Sequence, residues 1–371
     1  MNNKLKSGLC IGLDFKGNLE DYINFINLTN AEIYKFNPAF NPQITIELSE
    51  YLYANNITWI YDAKLGDVHH TNKEYAKYVF ETLKADAVTL NPYVGFDALQ
   101  PFFEYKDKTS FVLCKTTNEG SDFLQNDCYK KIIKHVKNKE NLGIVFAGNK
   151  EEELINISKE LKNNLILSPG IGAQGGKIID KNKNIIYSVS RSIINSSSPR
   201  RAADIYRYKI DNDFLFGKIE KYIKKGKFLL SSGIESNFYV DLKSLSGNIE
   251  LFDFITDLLA ENIQSDAILG IASGSISYAT AVALKTSKPF GYIRLKNKEY
   301  GTSKNIEGLN SKNVQSVTII EDVLTTGKSI KKAIQIAESH GFVVDKVICI
   351  VDRSSLNKNI KNVESLLKLY S

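Results

Sequence analysis

Residues 58–71 read TWIYDAKLGDVHHT, an apolar stretch that gives way to charged and polar side chains. Its first four residues are β-branched or aromatic, which favours a buried β-strand. Asp62 and Lys64 follow two positions apart, so on a regular strand both side chains point to the same face. We therefore predict a buried strand with an Asp-Lys pair near its carboxyl end.

Seven other stretches before residue 195 repeat this pattern, with longer helical patterns between them. Eight parallel strands that alternate with helices close a (β/α)8 TIM barrel. We predict such a barrel over residues 1–210. The eight candidate strands are GLCIGLD (8–14), EIYKFN (32–37), TWIYDAK (58–64), DAVTLN (86–91), SFVLCK (110–115), LGIVFAG (142–148), NLILSPG (164–170) and IIYSVSR (185–191).

The pattern breaks where a serine cluster and Pro199 begin a last helix, followed by a polar joint near Asp211. A chain of 371 residues has room for a barrel and a smaller domain. We place the boundary at 210/211 and predict a doubly wound α/β domain over residues 211–371. Its candidate strands are AILGIASG (267–274), PFGYIRL (289–295), VTIIED (317–322) and KVICIVD (346–352).

The composition predicts a globular protein, since 43% of the residues are hydrophobic and 24% are charged. A net charge of +6 suits small anionic substrates. No lysine run is interleaved with aromatics, and the apolar start LCIGLDF is too short for a signal peptide or a membrane span. We therefore expect a cytoplasmic protein with neither a nucleic-acid nor a membrane partner.

The four cysteines and the adjacent histidines do not predict a metal site. Cys10, Cys114, Cys128 and Cys349 form no C-x-x-C pair, and three of them lie in apolar runs, so we expect buried, reduced thiols. His69 and His70 would diverge on a loop and lack a third ligand at useful spacing, so we interpret them as structural.

In a TIM barrel the reacting groups lie at the carboxyl ends of the strands. The densest cluster there is DAKLGDVHHT (62–71). A lone Asp-x-Lys is ordinarily a solvated pair, but charges inside a barrel mouth are costly unless they pair or act on a ligand. The polar or glycine residues that end the candidate strands are Asp14, Lys35, Asn37, Asp62, Lys64, Asn91, Tyr93, Lys115, Thr117, Gly148, Asn149, Gly170 and Arg191.

A second cluster, SPGIGAQGG (168–176) followed by SRS (190–192), predicts a phosphate site. The loops after the seventh and eighth strands of such barrels commonly hold a phosphate through backbone N–H groups, which glycine allows to come close. Arg191 would add a bidentate cation and Gln174 a side-chain amide.

These motifs, with KTTNEGS (115–121), resemble orotidine 5'-monophosphate (OMP) decarboxylase across about residues 1–208. The resemblance implies that Lys64 donates a proton to C6 of the pyrimidine and that Asp62 faces the substrate carboxylate. It further implies that Asp67, reaching in from a partner subunit, completes a Lys-Asp charge network, with Lys35 beside it.

The same resemblance implies a homodimer or a higher homo-oligomer and a reaction without a cofactor. It places the substrate on residues from several strand ends, with Asp14 on the ribose and Gln174 and Arg191 on the phosphate. The implied binding residues are Asp14, Thr71, Thr117, Pro169, Gln174, Gly175 and Arg191.

The stretch VTIIEDVLTTGKS (317–329) ends like a P-loop but has Asp322 where a P-loop requires glycine. A strand ending in two acids before TTGKS instead resembles type I phosphoribosyltransferases. The resemblance implies that Glu321 and Asp322 bind the ribose hydroxyls of phosphoribosyl pyrophosphate (PRPP). The 5'-phosphate would then lie on the backbone of Thr325, Thr326, Gly327, Lys328 and Ser329.

Three more stretches resemble orotate phosphoribosyltransferase over about residues 212–371: FLLSSGIESNFYVDL (228–242), YIRLKNKEYGTSK (292–304) and IVDR (350–353). Tyr239 would line the orotate site, and Arg353 would pair with the orotate carboxylate. Arg294 and the catalytic Lys298, on a loop that closes over the substrate, would bind pyrophosphate, with Mg²⁺ accompanying PRPP. Departures from the family pattern are Leu295, Ser231, Ser273 and Tyr300, which leave fewer cations around pyrophosphate.

Together the two resemblances imply a bifunctional enzyme of the UMP synthase type, with the decarboxylase first. One alternative is a Mg²⁺-dependent sugar-phosphate decarboxylase or aldolase barrel with a similar D-x-K-x-x-D motif. Another is a transferase fold that has lost turnover and senses PRPP or binds RNA. Whether the intermediate passes directly between the sites stays open.

Overall fold

Eight parallel strands of the N-terminal half close into a barrel in the order β1 to β8, as the sequence predicts. The structure is a computed structural model that describes residues 5–179, 184–211, 213–229, 235–295, 305–354 and 362–369. The chain divides into two compact units, Met1–Asp211 and Asn212–Ser371.

The strands of the first unit begin and end close to the predicted positions. They are β1 (Gly8–Gly12), β2 (Ile33–Phe36), β3 (Thr58–Leu65), β4 (Ala87–Leu90), β5 (Thr109–Lys115), β6 (Leu142–Phe146), β7 (Ile166–Pro169) and β8 (Ile185–Val189). The helices are α1 (Leu19–Thr29), α2 (Thr45–Ala54), α3 (His69–Lys77), α4 (Gln100–Phe103), α5 (Asp122–Val136), α6 (Glu151–Glu160), α7 (Arg191–Ile194) and α8 (Pro199–Ile210).

The alternation of side chains along each strand divides the barrel core into two layers. Cys10, Ile33, Ile60 and Phe111 belong to a buried cluster contributed mainly by strand residues. Their neighbours in sequence, such as Trp59, belong to a larger cluster that includes residues of the surrounding helices. Successive strand residues face opposite sides, so the interior layer continues upward into the polar residues at the strand ends.

Buried asparagines stabilise the opposite, amino-terminal end of the barrel. Asn141, Asn164 and Asn184 lie just before β6, β7 and β8. The side-chain amide of Asn164 donates to the carbonyl oxygens of Val136 and Leu142 at 3.1 and 2.8 Å. These bonds tie helix ends to strand starts, which assigns this end of the barrel to stability.

The second unit is built on a six-stranded sheet in the order β13-β12-β11-β14-β15-β16. Its strands are β11 (Ala267–Ile271), β12 (Phe290–Ile293), β13 (Ile306–Glu307), β14 (Ser316–Leu324), β15 (Val343–Asp352) and β16 (Val363–Lys368). The four predicted strands are confirmed. The helices are α9 (Asp213–Ile219), α10 (Leu242–Leu245), α11 (Ile249–Ala260), α12 (Ile276–Thr286) and α13 (Lys328–Ser339).

Two features of the second unit position its strand ends. β11 pairs in parallel with β12 on one side and with β14 on the other, so the chain changes direction across the sheet at β11. Ligands of open α/β sheets bind outside the carboxyl ends of the strands at such a switch point. A separate antiparallel pair, β9 (Ile223–Leu229) and β10 (Glu235–Val240), was not expected from the sequence as strands.

The thiol prediction holds for three cysteines and is wrong for one. Cys10, Cys114 and Cys349 are buried and free, whereas Cys128 is exposed. Cys128 lies on α5, whose buried face is formed by Ile132, Ile133 and Val136 further along the helix. Among the described residues, no helix is both long and apolar enough to cross a membrane.

Candidate active sites

A cavity of about 520 Å³ opens at the carboxyl end of the barrel. It is lined by residues that follow or end six of the eight strands, together with apolar residues of the strands themselves. Its lining consists of Asp14, Lys35, Asn37, Phe40, Asp62, Lys64, Leu113, Thr116, Thr117, Val145, Leu167, Pro169, Gly170, Ile171, Ala173, Gln174, Ser188, Ser190 and Arg191.

Four charged side chains meet at the floor of this cavity. Lys35 Nζ donates to Asp62 Oδ2 at 2.5 Å and lies 3.6 Å from Asp14 Oδ1. Lys64 Nζ donates to Asp62 Oδ1 at 2.8 Å, and Thr89 Oγ1 donates to the same oxygen at 2.8 Å. The side chain of Asp62 is 7% exposed and that of Lys64 is 42% exposed, so Lys64 is the member most open to a ligand.

Pairing with oppositely charged neighbours keeps Lys35 and Asp62 ionised despite their burial. Burial alone would raise the pKa of Asp62, but the ammonium groups of Lys35 and Lys64 hold that pKa below its ordinary value. Burial would likewise lower the pKa of Lys35, but Asp62 and Asp14 hold it above its ordinary value. The cavity floor therefore presents a fixed carboxylate between two ammonium groups.

The sequence suggested that Asp62 and Lys64 share a face of a regular strand. In the structure they meet because the strand is irregular at Lys64. Lys64 has φ of 50°, in the left-handed region, and the pairing register with β4 shifts between Tyr61 and Leu65. A non-glycine residue in this region is uncommon and costs conformational energy. Lys64 N is held by Thr89 Oγ1 at 3.0 Å, so the side chain that bonds Asp62 also supports the distorted backbone.

The glycine-rich loop after β7 and Arg191 after β8 lie on the same wall of the cavity. Gly170 has φ of 90°, and a Cβ there would lie 2.6 Å from Thr117 Cγ2 and 3.0 Å from Gln174 Oε1. Only glycine fits at this position, because Thr117 and Gln174 both pack against the backbone there. Pro169, Thr117, Gln174 and Arg191 thus all line one cavity.

Asp67, Thr71 and Gly175 do not line the cavity of their own chain. Asp67 Oδ1 accepts from the backbone of Val68 at 2.7 Å, and Asp67 N donates to Asn72 Oδ1 at 3.1 Å. Within the described part of the chain, no cation pairs with the Asp67 carboxylate.

Several cavity residues were not among the predicted site residues. Asn37 and Thr116 follow strand ends, and their positions could have indicated them. Ser190 also lines the cavity, and its buried hydroxyl has no hydrogen-bond partner among the described residues. Thr89 supports the site from β4 without lining it, which no local sequence signal indicates.

In the second unit, Glu321 and Asp322 lie near the carboxyl end of β14, beside the switch point. Glu321 is 7% exposed. A Cβ on Gly274, in the loop after β11, would lie 1.9 Å from Asp322 Oδ2, so only glycine permits this approach. Burial, and then hydrogen bonding and repulsion from Asp322, raise the pKa of Glu321 well above its ordinary value.

The TTGKS segment forms the turn into α13. Gly327 has φ of 76° and precedes the first helical residue, Lys328. Thr326 Oγ1 accepts from Lys328 N at 3.4 Å, a long bond that leaves this donor weakly satisfied. The first backbone N–H groups of a helix are available to an anion, so the segment can cradle a phosphate.

Arg353 follows β15 and contacts β10. Its guanidinium carbon lies 3.7 Å from the centroid of the Phe238 ring, and Nη2 donates to Phe238 O at 3.0 Å. Nη2 also donates to Ser236 Oγ, whereas the buried Nε has no partner among the described residues. Burial lowers the pKa of Arg353. The ring of Tyr239, the next residue on β10, is tilted by 36° to that of Phe228, with 5.7 Å between the ring centroids.

Of the other residues predicted for the transferase site, the structure describes some and leaves others out. Arg294 follows β12 and donates to Tyr292 Oη at 2.9 Å. Leu295, where the family pattern suggests lysine, packs against the core cluster of this unit, which accounts for its apolar side chain. Ser273 is exposed in the loop after β11. Lys298, Ser231 and Tyr300 lie outside the described residues.

Known families account for both units. Residues 7–206 match the "Orotidine 5'-phosphate decarboxylase / HUMPS family", and residues 243–368 match the "Phosphoribosyl transferase domain". The first match covers more than half of the 371 residues. The chain therefore belongs to the orotidine 5'-phosphate decarboxylase / HUMPS family.

Two relatives match this chain over nearly its whole length, and a third matches its second unit. A bifunctional enzyme PyrF/PyrE from Nostoc sp. is 26% identical over 409 residues, covering 95% of this chain and 85% of that protein. The structure of Leishmania donovani UMP synthase is similar with a TM-score of 0.51 and 28% identity, covering 98% of this chain and 91% of that one. An orotate phosphoribosyltransferase from Methanocaldococcus jannaschii is 40% identical over 147 residues, covering 38% of this chain and 83% of that protein.

Proposed function

We propose that this chain is a bifunctional enzyme that makes UMP from orotate. Its second unit, from about residue 211, joins orotate and PRPP to give OMP and pyrophosphate. Its first unit, residues 1–210, decarboxylates OMP to UMP. The observation that carries the proposal is the Asp62 carboxylate held between Lys35 and Lys64 on the floor of the barrel cavity.

Decarboxylation follows from the charges on the cavity floor. Asp62 stays ionised, so a substrate carboxylate placed beside it is repelled. At an effective dielectric constant of about 20, two charges about 4 Å apart interact by about 4 kcal/mol. Loss of CO2 removes this repulsion, which favours the carbanion-like transition state over the bound substrate.

Lys64 then supplies the proton. Its ammonium group is more exposed than that of Lys35 and already bonds Asp62, so it would lie next to the carbon that loses CO2. The positive charge stabilises the developing carbanion before the proton moves to C6. Arg191 and Gln174 would hold the phosphate, whose binding energy keeps the carboxylate against Asp62. All of these groups belong to the protein, and the step uses no cofactor.

The second unit has the groups that PRPP and orotate require. Glu321 and Asp322 would accept hydrogen bonds from the ribose hydroxyls, and the turn at 325–329 would bind the 5'-phosphate. Mg²⁺ would arrive with the pyrophosphate of PRPP, because it commonly binds one or two carboxylates together with phosphate oxygens.

Two further roles complete the proposed transferase site. Arg353 would pair with the orotate carboxylate, and Tyr239 would line the orotate site. Arg294 and Lys298 would bind pyrophosphate, with Lys298 acting in catalysis. For the barrel we propose a dimer in which Asp67 and Thr71 serve the partner's cavity, since neither lines its own.

A coupled assay tests the proposal. The whole chain is supplied with orotate, PRPP and Mg²⁺, and orotate loss and CO2 release are followed together. We expect both, in equal amounts, with OMP alone also releasing CO2. Orotate loss without CO2, or neither, would contradict the proposal. CO2 release from OMP should survive a chelator, which separates this barrel from a Mg²⁺-dependent aldolase.

A further inference from the structure

Lys115 is a buried lysine outside the reacting cluster. It ends β5, and the pairing register with β6 shifts between Leu113 and Lys115. Leu113 lines the cavity, so regular alternation would direct Lys115 into the cavity too, yet Lys115 is not among the lining residues. Its side chain is 5% exposed and turns toward the surrounding helices.

The helices provide a complete set of partners for this ammonium group. Lys115 Nζ donates to both carboxylate oxygens of Glu153 at 3.1 Å and to Asn126 Oδ1 at 2.8 Å. It lies 3.7 Å from Asp122 Oδ1 and 5.3 Å from the centroid of the Tyr129 ring. A buried ammonium group is costly unless it is paired and hydrogen-bonded, so these contacts hold Lys115 in one orientation.

The next two residues form part of the cavity wall. Thr116 N donates to Gln125 Oε1 at 2.7 Å, and Gln125 Nε2 donates back to Thr116 Oγ1 at 3.0 Å. Thr117 packs against Gly170, in the loop that carries Gln174. The orientation of Lys115 therefore determines where the wall formed by Thr116 and Thr117 lies relative to the phosphate-site loop.

We propose that Lys115, anchored by Glu153 on α6 and Asn126 on α5, is a positioning residue for nucleotide binding in the barrel. It acts through Thr116 and Thr117 and does not touch the substrate. Its loss weakens nucleotide binding more than it slows the chemical step, because the Lys35–Asp62–Lys64 cluster is held separately by Thr89. This inference rests on the proposed decarboxylase function.

The test compares Lys115→Met with Lys137→Met in the full chain. Lys137 also joins α5 to α6, through Glu160 at 3.3 Å, but its side chain is 42% exposed and lies far along both helices from the cavity. For Lys115→Met we expect the KM for OMP and the Kd for UMP to rise about tenfold, the loss expected from about one to two weakened hydrogen bonds. The value of kcat should fall less than threefold. Lys137→Met should leave all three values unchanged.

Two further variants separate positioning from general destabilisation. Lys115→Arg keeps the cation and should recover most of the affinity. Glu153→Gln removes the charge that pairs with Lys115 but keeps the shape of that side chain. It provides the test if Lys115→Met does not fold, and it should also raise the KM for OMP. If folded Lys115→Met or Glu153→Gln has the same KM for OMP and the same Kd for UMP as the wild type, the positioning role of Lys115 is wrong, while the proposed decarboxylase function stands. A wild-type chain that neither decarboxylates OMP nor binds UMP would remove the proposed function as well.

Discussion

Lys64 donates to the carboxylate of Asp62, two residues earlier in the same strand, from a left-handed backbone conformation. The strand therefore departs from regular geometry at the residue proposed to transfer the proton. Backbone strain of this kind persists only where surrounding contacts enforce it, and Thr89 supplies those contacts to both residues. The arrangement therefore fixes the position of the proposed proton donor.

Replacing Lys64 separates the two activities. Lys64→Ala should lower CO2 release from OMP by about a thousandfold or more, because it removes both the proton donor and the charge that stabilises the carbanion. OMP synthesis from orotate and PRPP should continue. The reciprocal double variant, Glu321→Gln with Asp322→Asn, should weaken PRPP use and spare decarboxylation. Near-normal CO2 release from Lys64→Ala would show that Lys64 is not the proton donor.

Asp62 stabilises the barrel in a pH-dependent way. Its pKa is held below the ordinary value of 3.8, so its contribution is present above that pH and is lost as the pH falls through the lowered pKa. Asp62→Ala should lower the free energy of unfolding at pH 7 by about 3 kcal/mol, because the buried Lys35 loses its hydrogen-bonded carboxylate and keeps Asp14, which is partly exposed and 3.6 Å away. The difference from wild type should shrink below pH 3.8.

The chain has a single tryptophan, Trp59, which lies buried on β3. Its fluorescence during denaturant unfolding therefore reports the barrel unit. Asp62→Asn, which keeps the shape, serves as the matched control and should cost less than Asp62→Ala. An equal stability difference at pH 3 and pH 7 would contradict the charge-pairing explanation.

Glu321 should act in the opposite direction. Burial and Asp322 raise the pKa of Glu321 above its ordinary value of 4.5. Above that pH the carboxyl group ionises readily in the unfolded chain but not in the folded one. Glu321 therefore lowers the stability of the second unit as the pH rises. Glu321→Gln should therefore slow hydrogen exchange in β14 at pH 8 while weakening PRPP use. Trp59 fluorescence should report an unchanged barrel. Faster exchange in the variant would show that the carboxylate stabilises the fold.

Subunit exchange tests whether Asp67 serves the partner's site. An inactive Lys64→Ala chain is mixed with an inactive Asp67→Ala chain. In a two-fold dimer with shared sites, each mixed dimer has one intact site, and random pairing should restore decarboxylation to about a quarter of the wild-type level. Mass tagging confirms that exchange has occurred. No recovery after confirmed exchange would place Asp67 in its own chain's site.

Substrate should protect the loop that carries Lys298. The sequence LKNKEYGTSKN (295–305) is polar and lysine-rich and contains a glycine, which is typical of a loop that closes over a ligand. PRPP with Mg²⁺ should therefore suppress trypsin cleavage at Lys298 and Lys304, while orotate alone should not. Cleavage at Lys106, in the barrel unit, provides the internal control. Equal cleavage with and without PRPP would argue against closure.

Local sequence patterns predicted most of the fold. Short apolar runs predict buried strands, and amphipathic spacing predicts helices. The eight barrel strands and four strands of the second unit could therefore be predicted from the sequence. β9 and β10 were missed because IKKGKFL is rich in lysine and its side chains are mostly exposed, so the strand has no apolar signature. Its strand character comes from pairing with β10, which is not a local property.

The sequence by itself determined which residue types stand at the strand ends, and hence that two aspartates, two lysines and an arginine would share a barrel mouth. Tertiary structure alone decided how they are used. The shift at Lys64 turns its ammonium group onto Asp62, whereas the shift at Lys115 turns an equivalent lysine away from the cavity toward Glu153. The backbone at Lys64 is held by Thr89 and the side chain of Lys115 by Glu153, and both of these contacts join residues far apart in the chain.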